Sequence, residues 1–197
     1  MTDRAPPLPT AARARETEDL IARGGTDIAR WAAPGNLATQ WDARAAMAAA
    51  WIPGGSRVLD VGCGAMTLGS LLQSGCTYVP ADVVERRPGA FVADLNRGEF
   101  PPGCYDWVVF LGVLEYVHDA SWPLVRARDA APNLLVTYCT HLGGDVAVRR
   151  GMGWVNDFTR AAFEAMLAAA GWRIARTADV KRGPTNHQIM YACGRLS

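Results

Sequence analysis

The chain has 197 residues, half of them apolar, and its 20 Lys and Arg against 19 Asp and Glu leave a net charge of +1. That length suffices for one domain with a sizeable core, and the balanced charge excludes a global field that would draw the protein to nucleic acid or an anionic membrane. No apolar run approaches the roughly 20 residues of a membrane helix and residues 1–19 hold no apolar signal core, so a cytoplasmic protein is expected.

Residues 1–12 carry Pro6, Pro7 and Pro9 with little to bury and read as a disordered arm. Residues 14–32 have a helical pattern weakened by Gly24-Gly25, and Pro34-Gly35 marks a break. Residues 36–51 read as an alanine-rich helix with Trp41, Met47 and Trp51 available for packing. The turn Pro53-Gly54-Gly55-Ser56 leads into a short apolar strand over 57–61, which stops at Gly62 and Gly64 before a helix over 67–74. Strand 77–81 ends at Asp82, strand 91–93 at Asp94 and strand 107–111 at Gly112. A helix over 121–130, a strand over 134–138 and a helix over 158–170 follow, the last capped by Asp157 or Thr159 and closed by Gly171. Strands near 172–178 and 187–193 have no helix between them, which makes them an antiparallel hairpin.

The sum is an α/β fold: a doubly wound, mostly parallel seven-stranded sheet with a C-terminal antiparallel hairpin and helices on both faces. Ligands of such sheets bind beyond the carboxyl ends of the strands, where Gly62, Asp82, Asp94 and Gly112 all fall. A strand, a glycine turn and a helix form a nucleotide-type cradle, because glycine lets a ligand approach the backbone. Asp60, just before the turn, favours a ligand with a positive end over one that is all phosphate.

In order and spacing these motifs resemble the class I S-adenosylmethionine-dependent methyltransferases over roughly residues 36–195. Val58-Leu59-Asp60-Val61-Gly62-Cys63-Gly64 matches the family's first motif, Asp82 its acidic residue after the second strand, and Ala93-Asp94-Leu95 its third-strand motif. Phe110 to Asp119 is similar to the segment after the fourth strand, and Phe158 to Trp172 to the late helix with its glycine stop. The resemblance implies a single methyltransferase domain over 13–197, with N-terminal helices or a lid over 13–52 and a cofactor-binding core over 53–197. It implies S-adenosylmethionine as cofactor and no metal. Gly62, Cys63 and Gly64 would form the turn against its methionine part, with Cys63 a small filler. Asp60 would face its ammonium and sulfonium end, Asp82 with Val83 its ribose, Asp94 and Leu95 its adenine, and the Leu111 or Gly112 backbone its amino group. Many members have a third glycine two residues after the second; here that residue is Met66.

Methyl transfer requires mainly alignment, since the sulfonium is already electrophilic. A hydroxyl nucleophile adds the need for a general base, for which His118, His141 and Glu115 are the candidates, with Tyr116 and Tyr138 nearby. The glycine-rich segment 141–155 reads either as a loop that borders the substrate, where Arg149 and Arg150 would hold an anionic group and Trp154 would stack on a ring, or as a plain surface loop. Arg86-Arg87 and Lys181-Arg182 read as solvated surface pairs.

The expected partner is a small-molecule substrate with an O or N nucleophile, with neither nucleic acid nor membrane, and the oligomeric state is unspecified. Two alternatives remain. One is a methyltransferase-like cofactor-binding partner protein without turnover. The other is an NAD-dependent oxidoreductase, disfavoured because Gly62-Cys63-Gly64-Ala65-Met66-Thr67 lacks the last glycine of the dinucleotide fingerprint. The five cysteines have no Cys-x-x-Cys spacing and read as ordinary thiols.

Overall fold

A computed structural model of the chain describes residues 11–37, 42–183 and 186–196. Seven strands form one sheet: β1 (Arg57–Val61), β2 (Thr77–Asp82), β3 (Phe91–Val92), β4 (Trp107–Leu111), β5 (Asn133–His141), β6 (Trp172–Arg182) and β7 (Asn186–Arg195). Their order is β3-β2-β1-β4-β5-β7-β6, and only β7 runs against the rest. The strand order reverses direction between β1 and β4, which opens a crevice at their carboxyl ends.

Side chains alternate across the central strands, and both faces are covered. Leu59, Val108, Phe110, Leu134 and Val136 pack on one face with Leu124 of α5 (Ser121–Ala130) and with Phe163 and Leu167 of α7 (Arg160–Ala169). Val58, Val109, Leu111 and Leu135 pack on the other with Ala45 and Ala48 of α3 (Asp42–Ala49) and Leu68 of α4 (Thr67–Leu71). Burial on both faces is why these strands read as continuous apolar runs. Thr159 caps α7, accepting from Ala162 N at 3.2 Å, so the cap falls on Thr159 rather than Asp157.

Several boundaries differ from expectation. The stretch 14–32 is two helices, α1 (Ala11–Arg23) and α2 (Ile28–Ala32), parted at the Gly24-Gly25 pair, with Asp27 capping α2 by accepting from Arg30 N at 3.1 Å. Helix α1 already begins at Ala11, inside the arm expected over 1–12; residues 1–10 lie outside the described residues. Of the helix expected over 36–51, Asn36 closes a 3-10 turn (Pro34–Asn36) and the described helix starts at Asp42, while Trp41 lies outside the described residues. The helix expected over 67–74 ends at Leu71, and β5, β6 and β7 run longer than their apolar cores.

The segment expected as a loop over 141–155 contains α6 (Val146–Gly151), capped by Asp145, which accepts from Ala147 N at 2.8 Å. Helix α1 packs on α6, and Thr17 Oγ1 donates to Arg150 O at 2.8 Å. Among the described residues no helix is long and apolar enough to cross a membrane.

Candidate active site

A cleft of about 650 Å³, open mouth included, lies at the carboxyl ends of β1, β2, β3 and β4. Gly62, Gly64, Asp82, Val83, Asp94, Leu95 and Gly112 line it, all of them residues singled out by the sequence. Asp60, Cys63 and Leu111 do not line it. Leu111 packs in the core, and Cys63 is buried in the turn, where burial and the charges of Asp60 and Asp82 push its thiol well above the usual range.

The glycine turn is fixed by bonds from Gly62 N and Cys63 N to Ala81 O, at 2.8 and 3.0 Å, which tie β1 to β2 at the mouth. Gly62 has φ +73°, and a Cβ there would fall 2.4 Å from Val113 Cγ2. Met66, at the place of the missing third glycine, takes the left-handed conformation itself, with φ 59° and ψ 25°. The backbone therefore keeps the glycine geometry although the residue is not glycine.

Asp60 sits beneath this turn rather than in the cleft. It is 3% exposed, and Tyr78 Oη donates to its Oδ2 at 2.7 Å. Gly69 of α4 lets Tyr78 pass, since a Cβ there would meet the Tyr78 ring at 2.6 Å. Burial pushes the Asp60 carboxyl up to about 7, the Tyr78 bond opposing and the charge of Asp82 adding to it. Arg44 of α3 reaches the Gly112 turn, where a Cβ would fall 2.4 Å from its Nη1; burial lowers its guanidinium pKa and the charge of Glu115 raises it.

The Asp82 carboxylate accepts from Gly64 N at 2.8 Å and lies 3.4 Å from Val84 N. Arg86 stands against both oxygens. Its Nη2 donates to Oδ1 at 3.1 Å, and its Nε lies 3.1 Å from Oδ2, off the line of a hydrogen bond but close enough to pair charges. The Arg86 side chain is 9% exposed, so this half of the Arg86-Arg87 pair is not solvated surface. Asp94 Oδ1 accepts from Thr26 Oγ1 at 2.7 Å and from Asn96 N at 3.0 Å.

The segment from Gly25 to Leu37 roofs the cleft, with Thr26, Trp31 and Leu37 in its lining. It is held from several sides. Arg86 Nη1 donates to Trp31 O at 2.8 Å, Arg30 Nη1 to Met152 O at 3.0 Å, and Asn96 Nδ2 to Thr26 Oγ1 at 2.9 Å. Trp31 meets Tyr116 edge-on with ring centres 4.8 Å apart, and Arg30 lies over both rings.

The three candidate bases stand away from the cleft lining. His118 Nε2 lies 3.0 Å from Gly25 O, where it holds the roof. His141 is half-buried at the end of β5, its N–H bonded to Phe158 O at 2.9 Å. Glu115 is 1% exposed; its Oε1 accepts from Cys139 N at 2.8 Å, and burial raises its pKa. Tyr116 does line the cleft, and its Oη accepts from Trp154 Nε1 at 3.2 Å. Tyr138 instead stacks on Phe163 in the core, ring centres 4.4 Å apart.

Arg149 is no anion holder on a loop. It is fully buried, with Nε on Asp157 Oδ1 at 2.7 Å, Nη1 on Cys139 O at 3.0 Å and Nη2 on Asn156 O at 3.1 Å. Its guanidinium lies 4.7 Å from the centre of the Trp154 ring, and Trp154 is itself buried. Arg150 also pairs with Asp157. Trp31 of the lining lies on the segment whose sequence reads as N-terminal helices or a lid, with Trp31 and Trp41 either covering the pocket or anchoring the helices to the sheet. Thr26, Leu37, Arg86, Asn96 and Val113 also line the cleft and were not singled out as site residues by sequence. Only Arg86 carried a readable signal, four residues after Asp82.

A glycine turn and two buried carboxylates at successive strand ends of this sheet define a cofactor-binding α/β domain. The sequence model of a family described as a methyltransferase domain matches residues 35–177, and the chain belongs to that family. Solved structures agree in fold. The chain is similar, at 20% identity and TM-score 0.62, to the 1,6-didemethyltoxoflavin-N1-methyltransferase of Burkholderia thailandensis, crystallised with 1,6-didemethyltoxoflavin and S-adenosylhomocysteine. That match covers 100% of this chain and 94% of the other. Similarity to the N-terminal domain of EvdMO1 with bound S-adenosylhomocysteine is 20% identity and TM-score 0.61 over 95% of each chain. The mitomycin 7-O-methyltransferase MmcR gives 18% identity and TM-score 0.65 over 93% of this chain and 68% of that one. Among curated proteins none matches the sequence.

Proposed function

We propose that this chain transfers the methyl group of S-adenosylmethionine to an O or N nucleophile of a small-molecule acceptor. The observation that carries the reading is the cleft itself: a glycine turn at one end, and Asp82 and Asp94 along its wall, in a member of the methyltransferase-domain family. The residues present suit that cofactor. Two carboxylates offer acceptors for a diol and for an exocyclic amine, and Leu95, Val113 and Val117 supply an apolar wall for a flat ring.

Bound S-adenosylmethionine supplies an electrophilic methyl on a sulfonium. In this reading Asp82 accepts from the ribose hydroxyls, Asp94 from the adenine amine, and the backbone at Leu111 and Gly112 holds the amino group. Gly62 and Gly64 keep the turn free of side chains. The roof formed by residues 25–37, which adds Thr26, Trp31 and Leu37 to the lining, supports a small acceptor. Holding the acceptor in line with the methyl then supplies the rate. Tyr116 and Thr26 are the hydroxyl-bearing residues of the lining nearest the roof and are candidates to orient the acceptor. The positions of His118, His141 and Glu115 outside the lining favour transfer by alignment over transfer through one of them as base.

Calorimetry tests the reading. The protein is expected to bind S-adenosylmethionine and S-adenosylhomocysteine and not NAD; binding of NAD alone would sink it. Asp82→Ala is expected to weaken cofactor binding by about 1–3 kcal/mol, the range for a lost charged hydrogen bond. Release of S-adenosylhomocysteine with a panel of small acceptors separates an enzyme from a cofactor-holding partner protein.

A further inference from the structure

Resting on that cofactor reading, we infer that Arg86 is a latch, a positioning residue that makes cofactor binding and attachment of the roof compete for Asp82. A carboxylate offers about four lone-pair directions. At Asp82 three hydrogen bonds are made, from Gly64 N to Oδ2 and from Val84 N and Arg86 Nη2 to Oδ1, and the guanidinium also stands against Oδ2, its Nε 3.1 Å away and unbonded. Two ribose hydroxyls therefore enter only where Arg86 yields.

Arg86 does not yield alone. The same guanidinium donates through Nη1 to Trp31 O, at 2.8 Å, and so ties the roof to the carboxylate. The planar fork bridges the two partners at once, which a lysine ammonium with its point charge does not reproduce. The second carboxylate repeats the arrangement more weakly. Thr26 of the roof bonds Asp94 Oδ1, and Oδ2 carries no bond among the described residues. The adenine side thus stays open while the ribose side is latched. Arg86 and Asp82 are nearly buried, at 9% and 7% side-chain exposure, so water does little to screen the pair.

The consequence is an ordered entry. Arg86 must first leave Asp82, which frees the Trp31 end of the roof, and only then does the ribose find its acceptors. Stopped-flow binding of S-adenosylhomocysteine to wild type, Arg86→Met and Arg86→Lys tests this, with calorimetry for affinity. In the wild type the observed rate is expected to level off with ligand concentration, because unlatching precedes binding. In Arg86→Met it rises linearly, and affinity tightens by about tenfold, the low end for removal of one charged competitor. Arg86→Lys falls between the two and serves if the methionine variant does not fold. A linear wild-type rate, or equal or weaker affinity in the folded variant, overturns the latch. A wild type that binds no S-adenosylhomocysteine overturns the cofactor reading itself, and the latch with it.

Discussion

Replacing Asp60 by Asn is expected to make the protein more stable at alkaline pH, although Asp60 stands in the first glycine motif. The carboxyl is 3% exposed, and burial lifts it from 3.8 to about 7 against the Tyr78 hydrogen bond. Because the folded value lies above the unfolded one, the native state keeps a proton that the unfolded chain has released. The stability this group contributes is whole below about pH 4 and is lost as pH rises through about 7. Each pH unit in that window is worth about 1.4 kcal/mol, so the interval from pH 5 to 7 amounts to roughly 2–3 kcal/mol. Asn has the same shape and no charge to desolvate. Urea midpoints of wild type and Asp60→Asn at pH 5 and pH 8 isolate the effect, since every other titrating group cancels in the difference. The variant should gain on the wild type by roughly 2–3 kcal/mol between the two pH values. A difference that stays the same at both would refute the reasoning and leave Asp60 ionised in the folded chain.

Met66→Gly removes a left-handed strain worth about 1–2 kcal/mol, less the greater freedom of glycine in the unfolded chain. Thermal unfolding should show the variant unchanged to about 1 kcal/mol more stable; a clear loss would mean that the Met66 side chain anchors the turn. Arg149→Met strands Asn156 O and Cys139 O and takes one of two cations from Asp157, so a destabilisation of about 3–5 kcal/mol is expected in urea. A loss under about 1 kcal/mol would place Arg149 outside the core of this network.

The sheet was readable because its central strands are buried on both faces and leave nearly unbroken apolar runs, each ended by Gly or Asp at the cleft. The same rule found Gly62, Asp82, Asp94 and Gly112, which line the cleft together. Burial of charge was not readable. Arg86 and Arg149 each occur in a basic pair, the pattern of a solvated surface, and their partners arrive through the fold: Trp31 O from 55 residues away, Cys139 O from the end of β5. Helix α6 escaped notice because six residues between glycines show too little periodicity to register. Asp60 shows the reverse case. Its place in a familiar motif pointed toward a ligand, through water, and gave no sign that the absence of a side chain at Gly69 admits Tyr78, whose hydroxyl takes Oδ2 of the carboxylate.

Helix α1 and the roof are distant in sequence from α6 yet are bolted to it and to the residue after it, by Thr17 to Arg150 and by Arg30 to Met152. The N-terminal segment and α6 therefore behave as a joint piece beside the cleft, although only the N-terminal segment contributes to its lining. Both bonds end on backbone carbonyls, so a chimera that exchanges residues 11–37 with a relative keeps them only where it keeps donors at positions 17 and 30.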